Sequence, residues 1–350
     1  MQKWKENLRD IEPYVPGEQP QNKNVIKLNT NECPYSPSPA VKKAIADYDY
    51  SRLRLYPSFV CADLKSALME NYPVNENEIF LGNGSDEVLA LCFMTFFNSK
   101  KPILFPDITY SFYDVWCNLY NIPFKRPALD DNFCFVKEDY YKENGGVVIT
   151  NPNAPTSVYM GLDDIEDIIK HNEDVIVIVD EAYIDFGGKS AVDLIHKYDN
   201  LVIVQTYSKS RALAGIRVGY AMANQELISA LEAVKNSFNS YTLNSLSQVI
   251  ATASAKDKEY FNDCVGKIIS AREWTINELS KLGFETLPSK ANFIFTTNKN
   301  ISAEKLFNYL KTKNIFVRYF NKPRISEYLR ITIGTFDEME KLIEAIKEYK

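Results

Sequence analysis

The middle of the chain alternates short apolar runs with longer amphipathic stretches. The runs PILFPD, GGVVIT, DVIVIVD, LVIVQTYS and VGYAMAN predict β-strands, and LDDIEDIIKH, residues 191–198 and QELISALEAVKNS predict helices. Runs such as VIVIV do not alternate apolar with polar residues, so we expect these strands to be buried on both faces. The pattern predicts an α/β fold with a large, mostly parallel sheet wrapped by helices.

The pattern changes after about Cys264. The stretch VGKIISAREWTINELSKLG predicts a long helix, followed by a strand (ANFIFTT), a helix (AEKLFNYLKTKN), two strands (FVRYF and LRITIG) and a final helix (FDEMEKLIEAIKEY). The proline-bearing first residues predict an extended arm. We therefore expect an N-terminal arm over residues 1–35, a large domain over residues 36–263 and a smaller α+β domain over residues 264–350.

Composition and charge exclude several classes of protein. The 350 residues carry a formal net charge of −6 and scattered lysines, which argues against a nucleic-acid partner. No apolar run is long enough to span a bilayer and the start has no signal-peptide pattern, so we expect a cytoplasmic protein without a membrane partner. The six cysteines are widely spaced and neither histidine follows a predicted strand, which predicts reduced thiols and no metal site.

The ends of the predicted strands carry the candidate chemistry, because ligands of such sheets bind at the carboxyl ends of the strands. The polar residues that follow these runs are Asn151, then Asp180 and Tyr183, then Thr206, Ser208 and Lys209. Upstream, IFLGNGSDE places Gly84 and Ser85 at a predicted helix start. Unpaired backbone N–H groups at such a start bind anions, so this turn is a candidate phosphate site.

Each of these residues also has an ordinary structural explanation. Asp180 could cap a turn, Asn151 could close a tight loop, and a single lysine is most often a solvated surface residue. Together, however, a strand-end acid, a strand-end amide, a lysine in a hydroxyl-rich turn and an anion-binding helix start are the groups that hold an aromatic phosphate cofactor and its aldehyde.

The same segments resemble the fold-type I enzymes that use pyridoxal 5′-phosphate (PLP), and within them the histidinol-phosphate aminotransferase family. The resemblance covers nearly the whole chain, through LNTNECPYSPSP, RLYPS, GNGSDE, NPNAPT, DEAYIDF, YSKSRALAGIRVGY and YLRITIGT. It implies the fold of those transferases, with a large, mostly parallel sheet domain and a smaller α+β C-terminal domain.

The resemblance also implies how the cofactor is held. Lys209 would bind the PLP aldehyde as a Schiff base and move the substrate's Cα proton, and Asp180 would pair with the pyridine nitrogen. Asn151 and Tyr183 would bond the ring's phenolic oxygen, and Tyr110 would stack on the ring. The implied phosphate cradle consists of Gly84, Ser85, the backbone of Asp86, Thr206, Ser208 and Arg217.

The implied substrate site involves both domains and a second subunit. Arg330 would bind the substrate's α-carboxylate, Tyr14 and Arg318 would lie near the phosphate of the substrate side chain, and Asn31 belongs to the same site. Tyr56 would reach into the partner's site, which implies a homodimer.

The chain departs from the family pattern at three positions. The family usually reads NPNNPTG where this chain has Ala154 and Ser157, and Cys33 replaces the second asparagine of its NENP segment. The missing glycine at position 157 is expected to alter the turn after the site. None of these changes removes a group with a chemical role.

The implied reaction transfers an amino group between histidinol phosphate and 2-oxoglutarate in histidine biosynthesis, giving imidazole-acetol phosphate and glutamate. An aromatic amino-acid aminotransferase is the alternative, because a pocket for imidazole also accepts a phenyl ring, and a threonine-phosphate decarboxylase is a weaker one. A non-catalytic regulator with this fold would need a DNA-binding module or a basic surface. An inactive relative conflicts with the intact lysine, acid and arginine.

Overall fold

The computed structural model describes residues 3–20 and 24–349. Within these residues the strands are β1 (Ile26–Lys27), β2 (Ile79–Gly82), β3 (Ile103–Leu104), β4 (Phe124–Lys125), β5 (Val147–Thr150), β6 (Val177–Asp180), β7 (Leu201–Thr206), β8 (Gly219–Ala223), β9 (Glu285–Thr286), β10 (Phe293–Thr297), β11 (Ile315–Phe316), β12 (Arg318–Tyr319) and β13 (Tyr328–Thr332). The α-helices are α1 (Pro39–Ala46), α2 (Ala62–Met69), α3 (Ser85–Phe96), α4 (Phe112–Tyr120), α5 (Leu162–Lys170), α6 (Gln225–Phe238), α7 (Ser245–Lys256), α8 (Lys258–Lys281), α9 (Ala303–Thr312) and α10 (Phe336–Tyr349). Short 3₁₀ helices cover Lys3–Asn7, Tyr50–Arg54, Glu76–Glu78, Lys137–Tyr140, Ile184–Phe186, Val192–His196 and Ala214–Ile216.

The large sheet has the strand order β2-β8-β7-β6-β5-β3-β4. Strands β3 to β7 pair in parallel, and β8 runs antiparallel to both of its neighbours. Val177 and Val179 contribute to one hydrophobic core with helices α2, α5 and α7, whereas Ile178 contributes to a second core with α3, α4 and α6. Because successive side chains of a strand point to opposite faces, both faces must be apolar, and this explains the absence of alternation.

A second sheet, in the order β12-β13-β10-β9, is antiparallel throughout. It shares a core with α8, α9 and α10, to which Leu28 of the N-terminal arm also contributes. The arm strand β1 pairs in parallel with β11. The arm is therefore packed on the smaller α+β unit, and this unit together with the large sheet matches the predicted fold class.

Two local predictions are wrong in detail. The run FVRYF does not form one strand: β11 pairs with the arm, β12 pairs with β13, and the buried Val317 lies between them. The two halves of the run pair with different strands, β1 and β13, and the residue pattern of the run does not reveal this. The predicted helix over residues 191–198 is a shorter 3₁₀ helix, Val192–His196.

Helix α8 begins at Lys258, ahead of the predicted domain boundary, and the division into domains stays a prediction. In the part of the chain that the structure describes, no helix is both long and apolar enough to cross a membrane.

Candidate active site

A cavity of about 530 Å³ lies at the carboxyl ends of β5, β6 and β7, beneath the N-terminal arm and next to β12 and β13. Twelve of the sixteen residues predicted from the sequence line it: Tyr14, Asn31, Ser85, Asp86, Tyr110, Asp180, Tyr183, Ser208, Lys209, Arg217, Arg318 and Arg330. The fold therefore brings residues from distant parts of the chain together at the carboxyl ends of the strands, where ligands of such sheets bind.

Asn151 and Thr206 do not line the cavity. Asn151 is fully buried, where its amide donates to the Met160 carbonyl (3.0 Å) and accepts from the Met160 backbone N–H (2.8 Å). One amide N–H of Asn151 is left for a ligand, because the side chain has two. The Thr206 hydroxyl accepts from the backbone N–H of Ser208 at 3.1 Å. In this structure both residues hold the loops that shape the site.

Tyr56 and Gly84 also lie outside the lining. Tyr56 is 81% exposed and stacks on Tyr241 with ring centroids 4.6 Å apart. Gly84 stands behind Arg217, and a Cβ atom at Gly84 would lie only 2.4 Å from Arg217 Nη2. A side chain at position 84 would therefore displace the guanidinium.

Lys209 points toward the arm. Its Nζ donates to the Thr30 carbonyl at 3.3 Å and lies 5.6 Å from the centroid of the Tyr183 ring. Glu32 also lines the cavity. Burial alone would raise the pKa of Glu32, but hydrogen bonds from Lys27 and Thr30 and the charge of Lys209 lower it on balance. Thr30 and Glu32 flank the predicted site residue Asn31 within the segment LNTNECPYSPSP, and this position is the signal that the sequence offers for them.

Asp180 is buried at the end of β6. Its Oδ2 accepts from the Tyr113 hydroxyl at 2.7 Å, and its Oδ1 accepts from the Ala182 N–H at 3.2 Å. Burial raises the pKa of Asp180 to about 6, although the bond from Tyr113 opposes that shift. A cation placed beside this carboxylate would restore its charge, so the acid fits a protonated ring nitrogen. Tyr113 is a site residue that the sequence reasoning missed.

The start of helix α3 and the loop before β8 form the candidate phosphate site. Gly84 is the N-cap residue of α3, with a φ of 85°. Because glycine has no side chain that could accept from the first turn, backbone N–H groups at the helix start are available to an anion. Arg217 Nη1 donates to Ser208 Oγ at 3.4 Å. A Cβ on Gly219 would lie 2.3 Å from the backbone nitrogen of Ser85, so only glycine permits this approach.

The carboxylate of Asp86 does not face away from this cradle. Its Oδ2 pairs with Arg217 Nη2 at 3.1 Å, and its Oδ1 accepts from the Tyr110 hydroxyl at 2.8 Å. The sequence predicts only a backbone role for Asp86. The side chain in fact connects the arginine of the phosphate site to the aromatic residue predicted to stack on the cofactor.

The arm also fixes Tyr183. Asn31, which is buried with a φ of 57°, donates from Nδ2 to the Tyr183 hydroxyl at 3.0 Å. Its Oδ1 accepts from the Thr332 hydroxyl at 2.9 Å. The Tyr183 hydroxyl keeps its own hydrogen for a ligand oxygen.

Two arginines that face the cavity have no acidic partner in the described part of the chain. The arginine ion pairs of the described residues involve Arg126, Arg217, Arg272 and Arg324, and neither Arg318 nor Arg330. Arg330 donates from Nη2 to the Asn29 carbonyl at 2.8 Å, while its buried Nε has no partner among the described residues. Burial lowers the pKa of Arg330. A half-buried cation that has no acidic partner among the described residues favours an anionic ligand.

The three departures from the family pattern are accommodated locally. Ser157 adopts a φ of 66°, the left-handed conformation that a glycine would take without strain. Ala154 packs with Ala291 and Phe293 at the cavity wall. Burial raises the pKa of Cys33 to about 11, so its thiol is protonated near neutral pH.

The sequence of the chain matches the aminotransferase class I and II family over residues 23–346. The chain therefore belongs to the aminotransferase class I and II family. A curated histidinol-phosphate aminotransferase from Clostridium botulinum (strain Langeland / NCTC 10281 / Type F) is 53% identical over 345 residues, which are 99% of this chain and 98% of that protein. This relative confirms the resemblance to histidinol-phosphate aminotransferases that the motifs indicate.

Solved structures share the fold. The histidinol-phosphate aminotransferase from Clostridium acetobutylicum has a TM-score of 0.86 at 26% identity, covering 93% of this chain and 99% of that chain. The histidinol-phosphate aminotransferase from Sinorhizobium meliloti, solved in complex with pyridoxal 5′-phosphate, has a TM-score of 0.82 at 20% identity, covering 93% and 92%. These likenesses confirm the predicted fold class.

Proposed function

We propose that the protein is a PLP-dependent aminotransferase that transfers the amino group of histidinol phosphate to 2-oxoglutarate. The observation that carries the proposal is a cavity in which several groups converge: a lysine, a buried acid, an anion-binding helix start and two arginines that have no acidic partner among the described residues. The full-length similarity to a histidinol-phosphate aminotransferase supports the choice of substrate.

The residues fit PLP at both ends of the molecule. The start of α3, Ser208 and Arg217 would hold the phosphate, and Asp180 would face the ring nitrogen. Bound PLP supplies an electron sink for negative charge that develops at the substrate's Cα. Lys209 would hold the aldehyde and carry the Cα proton, and the Tyr183 hydroxyl, oriented by the arm, would donate to the ring's phenolic oxygen.

The substrate end of the cavity is suited to dianions. Histidinol phosphate carries a phosphate monoester and 2-oxoglutarate carries two carboxylates, so each brings close to two negative charges near neutral pH. Arg318 and Arg330 would bind these groups, and the Tyr14 hydroxyl lies within their electrostatic influence. One pair of guanidinium groups can therefore serve both half-reactions.

A second candidate is an aromatic amino-acid aminotransferase, because the rings of Tyr14, Phe112 and Phe320 line the cavity. Phenylalanine brings a single carboxylate, however, and would leave one guanidinium without a partner. We therefore expect the dianionic donor to be preferred.

Two measurements test the proposal. Wild-type protein that is loaded with PLP and freed of unbound PLP should absorb visible light, and borohydride should attach the cofactor to it covalently. Lys209→Ala should carry no cofactor attached in this way, whereas Lys290→Ala, which changes a lysine outside the cavity lining, should behave like wild type. A donor panel scored by kcat/KM should rank histidinol phosphate above phenylalanine and tyrosine. A colourless wild type would exclude PLP chemistry, and preference for the aromatic amino acids would favour the second candidate.

We further propose that the active form is a homodimer. Apolar side chains near the predicted intersubunit residue are exposed in the single chain: Leu53, Leu55, Tyr56, Phe59 and Val60. A contiguous exposed apolar segment of this kind is typical of an interface. If Tyr56 completes the partner's site, mixing inactive Tyr56→Ala and Lys209→Ala subunits restores part of the activity, and exchange of subunits without recovery would contradict the assignment.

We also propose that the enzyme works in the cytoplasm. Histidinol phosphate is charged and does not cross a bilayer unaided, so the enzyme has to lie in the same compartment as its donor.

A further inference from the structure

The two arginines of the substrate end face each other across two strands. Arg318 of β12 is the register partner of Arg330 of β13, and β12 and β13 are antiparallel. Directly opposed residues of such a pair have their Cβ atoms about 4.5–5.5 Å apart, and like charges in these positions repel each other. Both side chains line the cavity, so they share one face of the sheet.

One aromatic ring contacts both guanidinium groups. The Cζ of Arg318 lies over the Phe320 ring at 5.3 Å from its centroid, and the Cζ of Arg330 lies over the same ring at 5.6 Å. A second ring, Phe293, is 5.4 Å from the Cζ of Arg330. Arg330 thus contacts two aromatic rings, and Arg318 contacts the one that they share.

A ring and a carboxylate hold an arginine in different ways. A carboxylate accepts hydrogen bonds from the guanidinium edge and uses the N–H groups that an anionic ligand would need. A ring attracts the cation through its π-face and leaves these N–H groups unoccupied. This agrees with Arg318, whose guanidinium donates no hydrogen bond to the described residues and lies over the Phe320 ring. It also agrees with Arg330, whose Nε has no partner among the described residues.

We propose that Phe320 is a specificity-determining residue that holds Arg318 and Arg330 side by side with their N–H groups available, so that the site selects substrates with two negative charges over substrates with one. The inference rests on the proposed function, since it concerns the donor and acceptor of that reaction. The hydrocarbon side chain of Phe320 offers no group that could take part in the reaction, so it would act by positioning the two cations.

The test compares Phe320→Leu, which keeps an apolar side chain but removes the ring, with Phe320→Tyr, which keeps the ring. Each PLP-loaded variant is assayed with histidinol phosphate as dianionic donor and with phenylalanine as donor with one carboxylate. The inhibition constant of inorganic phosphate is measured in the same assay. Thermal unfolding checks that the variants fold, and Phe320→Met replaces the leucine variant if that one does not.

The energies of cation–π contacts correspond to changes of about 2-fold to 30-fold in an equilibrium constant, so we expect an effect near 10-fold on binding of a dianion at these half-buried arginines. We expect Phe320→Leu to raise the KM for histidinol phosphate and the inhibition constant of phosphate by about 10-fold. The loss in kcat/KM for phenylalanine should be smaller, because its single carboxylate needs only one of the two guanidinium groups, and Phe320→Tyr should resemble wild type. Equal losses for both donors, or no loss for either, would overturn the inference.

Failure of the proposed function can be distinguished from failure of the inference about Phe320. A wild type that prefers phenylalanine would contradict histidinol phosphate as the substrate. The phosphate inhibition constant still tests Phe320 in that case, because a role in dianion binding requires it to rise in Phe320→Leu and to stay at the wild-type value in Phe320→Tyr.

Discussion

Substitution of Tyr113 by phenylalanine tests how the protein sets the charge of the acid beneath the cofactor site. The change removes the hydroxyl that donates to Asp180 Oδ2 at 2.7 Å and leaves the ring in place against Phe93 and Trp116. Tyr113 is fully buried, so water does not readily replace the lost donor.

The size of the effect follows from the hydrogen bond that is lost. A bond to a charged group contributes about 1.5–3 kcal/mol, and one pKa unit corresponds to 1.36 kcal/mol, so the pKa of Asp180 should rise by about 1–2 units. Burial already raises that pKa to about 6. Removal of a donor disfavours the charged carboxylate, so the pKa of Asp180 moves further up. Asp180 would then be largely protonated at neutral pH in the cofactor-free variant.

The measurement is the affinity of cofactor-free protein for PLP as a function of pH, followed by protein fluorescence. Affinity should fall as the pH drops through the pKa of Asp180, because the neutral acid cannot pair with a protonated ring nitrogen. We expect the midpoint of this fall to lie about 1–2 pH units higher in Tyr113→Phe than in wild type. Tyr140→Phe is the matched control, because the Tyr140 hydroxyl is buried without a hydrogen-bond partner among the described residues. An unchanged midpoint in Tyr113→Phe would refute the reasoning.

Two further substitutions test the packing around the site. Gly219→Ala should weaken PLP binding at least 10-fold and destabilise the fold by about 1–3 kcal/mol, since its Cβ would lie 2.3 Å from Ser85 N. Gly266→Ala, on helix α8, should instead stabilise the protein by about 0.5–1 kcal/mol in thermal unfolding, because the added Cβ would meet no described residue within 4 Å beyond the adjacent backbone of its own helix. Burial raises the pKa of Glu181 to about 7, above its pKa in the unfolded chain. The protonated side chain therefore contributes to the stability of the fold, fully below about pH 4, and this contribution is lost as the pH rises through 7. Glu181→Gln should therefore reduce the loss of stability between pH 5 and 8 in denaturant titrations of the cofactor-free protein, and an unaltered slope would contradict a buried titrating Glu181.

Much of the site follows from local patterns in the sequence. Apolar runs without alternation specify strands that are covered on both faces. Because Asp180 and Lys209 follow two such strands, both are expected at the carboxyl ends of the strands, along one edge of the sheet. The glycine-rich turn at Gly84 indicates an anion site because a helix start presents unpaired N–H groups wherever it occurs. These inferences depend on a few neighbouring residues and on the periodicity of one element, so the sequence alone carries them.

Other features depend on which elements meet in space. Tyr113 is a core aromatic by its pattern, and only the packing of α4 against β6 brings its hydroxyl to Asp180. The Asp86 carboxylate acquires its partners, Tyr110 and Arg217, from segments 24 and 131 residues away along the chain. Such contacts are fixed by the registry of packed elements, which no local window contains.

The substrate end of the cavity likewise depends partly on sequence motifs and partly on tertiary structure. Sequence motifs single out Arg318 and Arg330 one by one, but the run FVRYF does not show that it is divided between two sheets. The antiparallel register of β12 and β13 sets the two arginines opposite each other, and the fold then places the Phe320 ring against both. The sequence determined which chemical groups are present, whereas the tertiary structure decided their spacing, because spacing depends on how strands pair and how the arm closes over them.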